Sequence, residues 1–587
     1  MWGSHFLTLT RLLYDSFTGC GVSRVIRTSI GCMFALLFGS SPALPQATAP
    51  ASEATIQVTS RIVYVDIVVR DSNGHIVRGL TENDFHLAED GKTQKIDYFR
   101  DHTRDEATSA AETGARDRLS FSNVAQGSDG LSSVNIILFD FFNTAPQDYT
   151  YARKQMIRFL QELPPGRQTA LFVLGTQLKM VQSFTASTDR LVAAAKAIQL
   201  ETSAVETTSE QQQDIALGQA FAKAVGRSAS GKNPVDEQND MAHGQDETRA
   251  YGVTKIALDQ IGAAVSGYPG RKNLYWLGET FPLYGGPVLE LHDASQAVLG
   301  NRMSTQDEAD ANKAEATAQI AIYPISLTGL EAGDIGAESS VDPQNGRELA
   351  RQFNQRSAMH EMLNRLADTT GGHAYYGTND FAGALSRGFE DGASYYSLAY
   401  RPENHNWNGH YRNISVKLGA HGYSLSYRRG YYATSNQTAT HAGAERVMTE
   451  LLQPDTPQAT ALRLKSTVSL PDTAHHAVRV ESVIDPGNVE FVTDAKGRRQ
   501  ARLMVTLEAL PDPLPSNAAP GAATKPPQVS GLYVVDVDEA AFRKVLTDGM
   551  PAHQQITLPP GHYRLRLGVC DLANLHVGTL DMPVTVE

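Results

Sequence analysis

The stretch NIILFDFFNTAPQD, Asn135 to Asp148, decides how this chain is read. Its opening half is a continuous apolar run of strand length, the mark of a strand covered on both faces, as in parallel sheets. The run stops at a carboxylate, Asp140. Next come an amphipathic helix, YARKQMIRFLQEL, and a second buried strand, TALFVLG, closing at Gly175. The alternation recurs with helices at TDRLVAAAKAIQL and VTKIALDQIGAAVSG, a strand at RKNLYWLG, a helix at ADANKAEATAQIA and a strand at IYPISL. Buried strands alternating with helices predict a parallel sheet with helices on both faces. Ligands of such sheets bind in the crevice outside the strand carboxyl ends, so Asp140 stands where a functional group is expected. A further helix, EMLNRLADTTGG, is expected to end at Gly371 and Gly372.

These elements place an α/β domain at 131–392, interrupted at 201–249 by a polar insertion around one short helix. On either side the period falls to two. VYVDIVVRD, the turn SNG and FHLAEDGKTQKIDYF predict an N-terminal β module at 55–100, followed by a linker at 101–130 rich in Ser, Ala, Gly, Asp and Glu. SYYSLAYRP, YRNISVKLG and YSLSYRRGYY read as a meander, a Tyr-rich β extension at 393–434. Strands at RVESVID, RLMVTLEAL, GLYVVDVD, HYRLRLGVCD and MPVTVE, broken by a Pro- and Ala-rich loop, predict a C-terminal β-sandwich at 445–587. The expected fold class is therefore multidomain: a central, doubly wound α/β domain flanked by an N-terminal β module and a C-terminal β-sandwich.

Composition narrows the function classes. At 587 residues the chain is too long for one compact core, and 41% hydrophobic with 20% charged residues describes an ordinary globular protein. The net charge of −13, without basic blocks, argues against nucleic acid as a partner. Arg24 and Arg27, the apolar run IGCMFALLFG and the small-residue stretch SSPALPQATA follow the order of a secretory signal, assigning 1–47 as a signal region cut after Ala43 or Ala47. No later run has the length and apolarity of a transmembrane helix. Export to the periplasm, the cell surface or the medium is the expectation. Removal of Cys20 and Cys32 with the signal would leave Cys570 alone, with no intramolecular disulfide.

Common catalytic signatures fail in turn. His360-Glu361 begins like a zinc-protease helix, but Asn364 stands where the second His is required. GKT at Gly91 to Thr93 lacks the opening glycine of a phosphate loop, because His86 occupies its place. No G-x-S-x-G elbow occurs. Cys570 lies in a strand pattern and reads as a buried, inert thiol.

The order of many phrases carries a resemblance. VNIILFD through GRQTALFVLG, then QSFTASTDRL, PGRKNLYWLGETFP, AIYPISLTGL, LADTTGGHAYYGTNDFAGAL and YYSLAYRPENHNWNGHYRNISVKL resemble the acidobacterial VWFA-related domain family, a bacterial branch of the von Willebrand factor type A fold. VDIVVRDSNGHIVRGLTENDFHLAEDGKTQKIDYF resembles the β module that precedes this domain, and PPGHYRLRLGVCD its C-terminal β module. The resemblance implies a doubly wound, Rossmann-like domain with a binding role. It also implies a metal-ion-dependent adhesion site, in which Asp-x-Ser-x-Ser, a Thr and a second Asp hold a magnesium-type ion that a partner's acidic side chain completes.

Carried over residue by residue, Asp140 matches the first carboxylate and Thr144 supplies the last hydroxyl, while Glu279 or Thr280 lies near the second carboxylate. Phe142 stands where the first Ser should be, and a phenyl ring cannot ligate an ion. Thr202, Thr207 and Thr208 are the candidates for the third-loop Thr. The site is thus expected to be degenerate, with Mg2+ or Mn2+ as the ion if one binds. Without an ion, Asp140 would cap the helix or orient the loop through backbone N–H groups. Phe141 and Phe142 read either as apolar anchors at a partner surface or as packing beneath the insertion. The expected function is non-enzymatic binding of a protein or cell-envelope partner. The competing readings are ion-dependent adhesion at Asp140 and an envelope-directed hydrolase using Asp140 and Glu279.

Overall fold

The computed structural model describes residues 62–103, 120–124, 131–144, 149–163, 166–198, 234–282, 320–327, 343–419, 421–433, 441–454, 456–472, 476–494, 496–512 and 526–587. The signal region, Thr202, Thr207, Thr208 and most of ADANKAEATAQIA lie outside the described residues. No helix of the described residues is long and apolar enough to cross a membrane.

The central sheet has five strands in the order Ile320–Ser326, Arg271–Gly278, Ser133–Asp140, Thr169–Leu174 and Leu178–Thr185. The first four run parallel and the last pairs antiparallel at the edge. Tyr375 adds a parallel bridge to Ile325 on the opposite edge. Alternate residues of the middle strand serve opposite layers. Ile137 and Phe139 pack with helices Tyr149–Glu162, Thr188–Ala197 and Phe381–Ala393. Ile136 and Leu138 pack with helices Pro234–Val265 and Pro343–Thr370. All four side chains are fully buried, each contributing roughly 1.5–3 kcal/mol, which explains a run without polar interruption.

From the middle strand the chain moves to one side through Thr169–Leu174 and Leu178–Thr185, then returns on the other side with Arg271–Gly278. Asp140 and Gly278 therefore flank the switch point of the sheet, the place at which ligands of open parallel sheets bind. Helix Pro343–Thr370 ends as its sequence requires: Gly371 adopts φ +84°, and its N–H and that of Gly372 both donate to the Ala367 carbonyl at 2.9 Å. Two elements depart from expectation. Residues 234–249, assigned to the polar insertion, are the first half of a 32-residue helix, and Leu178–Thr185 is an edge strand whose mixed burial hides its period.

The β segments at 55–100 and 393–434 share their sheets. One sheet runs Ser424–Ser426, Val63–Arg70, Tyr396–Tyr400 and Tyr98–Asp101; the other runs Gly430–Tyr432, Tyr411–Leu418, Phe85–Glu89 and Lys92–Thr93. The Tyr-rich strands thus do not form a meander, because Tyr396–Tyr400 pairs with Val63–Arg70 while Tyr411–Leu418 lies in the other sheet. Each segment supplies only two strands to either sheet, too few for a stable face alone, and together they enclose Val65, Ile67, Leu87, Leu398, Ile414 and Val416.

The C-terminal sandwich has one sheet of Met550–Thr557, Ala477–Ile484, Leu464–Asp472 and Ser120–Ser122. Its other sheet contains Val492–Thr493, Arg499–Pro511, Gly561–Asp571 and Val577–Val586, with Gln528–Val537 also paired to Arg499–Pro511. Ser120–Ser122 comes from the stretch read as a linker, and the Asn123 side chain fixes it by donating to the Ala459 and Leu462 carbonyls. Cys570 is buried, and burial pushes its thiol up to about 12, which makes it inert.

Candidate functional site at the switch point

Three consecutive residues part at the end of the middle strand. The backbone N–H groups of Phe141 and Phe142 both donate to the Leu174 carbonyl, at 2.9 and 3.0 Å, bending the chain off the sheet. Phe141 turns to one layer, edge-on to Phe139 at 4.2 Å and Tyr149 at 4.8 Å. It is 9% exposed, so it is core and not an anchor presented to a partner. Phe142 turns to the opposite layer and is half-buried there, with the Arg249 guanidinium 5.7 Å above its ring.

Asp140 itself is fully buried. Its Oδ1 accepts the Asn143 backbone N–H at 3.0 Å, and its Oδ2 accepts the Asn143 amide at 2.8 Å and the Trp276 indole at 2.9 Å. Asn143 also donates to the Thr254 hydroxyl at 2.9 Å, which ties the turn to helix Pro234–Val265. The Thr144 hydroxyl donates to the Asp140 carbonyl at 2.6 Å. At the neighbouring strand end Glu279 is half-buried, and the Thr280 N–H and hydroxyl donate to the Asn143 carbonyl at 3.0 and 3.2 Å. Burial pushes the Asp140 carboxyl up to about 6, partly offset by bonds from Asn143, Trp276 and Phe142. Tyr149, which donates to the Phe141 carbonyl at 2.7 Å, is raised by burial and by the nearby Asp140 and Glu279.

This donor set does not fit a magnesium-type ion. Such an ion requires carboxylate, hydroxyl and water oxygens in octahedral array. Here both Asp140 oxygens already accept N–H donors, Phe142 offers no ligand atom and the Thr144 hydroxyl points to a carbonyl. Among the described residues no group of three or more His, Cys, Asp or Glu side chains could hold a metal. Paired-carboxylate hydrolysis has as little support, since a fully enclosed Asp140 does not reach a substrate. His360 and Glu361 are also otherwise engaged, His360 stacked on Tyr376 at 3.9 Å and Glu361 paired with Arg365 at 3.2 Å.

The sequence reading missed Asn143, Trp276 and Thr254. Asn143 carried a signal, since an amide three residues after an Asp in a turn is placed for local bonding. Trp276 carried a weaker one: a buried indole N–H needs an acceptor, but its identity depends on the strand register that sets Leu138 opposite Trp276.

No family model matches the chain, and no curated protein does. Among solved structures it has weak neighbours of the von Willebrand factor A and BatB types. The conserved hypothetical protein BatB from Bacteroides thetaiotaomicron is 12% identical over 45% of this chain and 99% of that one, with a TM-score of 0.22. The ArnB paralog VWA2 from Sulfolobus acidocaldarius is 8% identical over 90% of this chain and 75% of that one, with a TM-score of 0.18. A von Willebrand factor type A protein from Catenulispora acidiphila is 9% identical over 67% of this chain and 80% of that one, with a TM-score of 0.15. Likeness at this level carries no functional argument.

Proposed function

We propose that this is an exported, non-enzymatic binding protein, which meets a protein or cell-envelope partner through an α/β domain of von Willebrand factor A type. In this reading the place of the adhesion ion is taken by protein N–H groups, and recognition works by surface complementarity. The supporting observation is the closed Asp140 network, in which Asn143 and Trp276 occupy both carboxylate oxygens. A carboxylate satisfied in this way orders the turn at the strand end without needing a cation.

Calorimetric titration of Mg2+ and Mn2+ into the full chain and into its Asp140→Ala variant tests the reading. No binding heat in either protein is expected, with a wild-type melting temperature unaltered by EDTA. Binding in the wild type that Asp140→Ala removes would overturn it and establish ion-dependent adhesion.

A further inference from the structure

We infer that the edge strand Gln528–Val537 of the C-terminal sandwich is a self-association surface, which pairs antiparallel with the same strand of a second copy of this chain. The strand is bonded to Arg499–Pro511 without a register shift, from Arg499 opposite Val537 to Glu508 opposite Gln528. Among the described residues no strand pairs with its other side. Its inner face holds it in place: Val535 lies in the core, Val529, Tyr533 and Val537 pack against that core, and the Tyr533 hydroxyl donates to the Pro551 carbonyl at 2.6 Å. An ordered edge of 10 residues presents a row of backbone N–H and C=O groups to a strand that fits it.

The other sheet edges of the described residues are blunted, as protection against edge-to-edge pairing requires. Lys92–Thr93, Tyr98–Asp101, Ser120–Ser122, Ser424–Ser426, Gly430–Tyr432 and Val492–Thr493 are short. Leu178–Thr185 is irregular in register and carries Lys179, and Ile320–Ser326 is covered by the Tyr375 bridge. Met550–Thr557 contains Pro551, and Val577–Val586 contains Pro583. Gln528–Val537 has no Pro, Lys or Arg, and its outer face is apolar. The three most exposed large hydrophobic side chains among the described residues are Val534, Leu546 and Leu532, at 56, 54 and 50%. Two stand on this strand and the third on helix Glu539–Asp548 directly after it. Helix His441–Leu451 covers the outer face of the sheet as far as Met504, and the cover ends at Leu532, which stands opposite Met504.

A second copy is the occupant because the strand complements itself. Antiparallel pairing centred on Tyr533 sets Leu532 opposite the partner's Val534, twice by symmetry, and carries the apolar row from Met504 across the join. The same register sets Asp536 opposite the partner's Ser530, so like charges do not meet. Asp536 is the one charged residue of the strand, and Arg498 already pairs with it at 2.7 Å. Each copy carries a net charge of −13, but repulsion between copies is screened beyond about 8 Å at physiological ionic strength, and the strand itself is neutralised.

The test is sedimentation velocity of the full chain over a concentration series up to about 100 μM, together with Val534→Lys, Leu532→Glu and the double variant. Wild type is expected to dimerise reversibly. Each single substitution sets a charge against an apolar residue in two symmetry-related pairs, and should weaken the dimer by on the order of tenfold or more. The double variant places opposite charges in both pairs and should restore association, which a misfolded chain would not do. Both positions are exposed, and unchanged circular dichroism would show that the variants fold. A monomer at every concentration, a dimer indifferent to both single substitutions, or single losses that the double variant does not restore would each overturn the inference.

Discussion

Asp140 in the α/β domain and Glu89 in the interleaved sandwich are both buried carboxylates, 0% and 3% exposed, yet their surroundings meet the cost of burial differently. Asp140 accepts only neutral N–H groups, two of them from a residue three positions away. Glu89 accepts the Arg412 guanidinium at 3.2 Å and the hydroxyls of Tyr400 and Tyr431 at 2.7 and 2.9 Å. Arg412 is itself held by the Asn404 and Asn406 carbonyls, at 2.8 and 2.7 Å, and by the Trp407 ring at 4.7 Å. Each side-chain partner of Glu89 is more than 300 residues away in sequence. The first network orders one turn at a strand end; the second joins two distant stretches of chain into one sandwich.

The contrast is broken most severely by removing one side of the interleaved sheets. A chain beginning at Leu131 loses Val63–Arg70 and Phe85–Glu89, the strands against which Tyr396–Tyr400 and Tyr411–Leu418 pair. It is expected to be insoluble or to melt without cooperativity, as followed by circular dichroism. A soluble fragment with a sharp transition would show that the later strands do not need the earlier ones.

Next in size is Arg412→Met, which strands Glu89 in the core. Breaking a buried pair by removing one partner costs about 3–5 kcal/mol, read as a lowered urea midpoint. A loss under about 1 kcal/mol would place the holding force in apolar packing alone.

The smallest effect is a pH dependence that comes from Asp140. The folded pKa of Asp140 is raised to about 6, so folding favours its protonated form. Its contribution is fully present below the unfolded value near 3.9 and is lost as pH rises through about 6, a fall of roughly 3 kcal/mol. Burial also pushes Asp259 and Asp391 up to about 6, with the same sign. The informative quantity is therefore the difference between wild type and Asp140→Asn in denaturant titrations from about pH 4 to 7, where the variant should lack this fall. A difference constant with pH would mean that Asp140 is not desolvated in solution.

Much of the α/β domain was legible because its signals are local. Ile136 to Phe139 must be apolar on both faces, Gly371 must accept a positive φ, and Asp140 must fall at a strand end; each can be read within a few residues. Phe142 likewise declared that an ion site would lack a ligand. Tertiary structure decided the rest. The pairing of 55–100 with 393–434, the strand at Ser120–Ser122 inside a linker-like stretch and the Trp276 indole on Asp140 all join residues distant in sequence. Periodicity tells each segment which face must be buried. The partner that buries it is chosen by the apolar faces and unpaired strand edges left once the whole chain has folded.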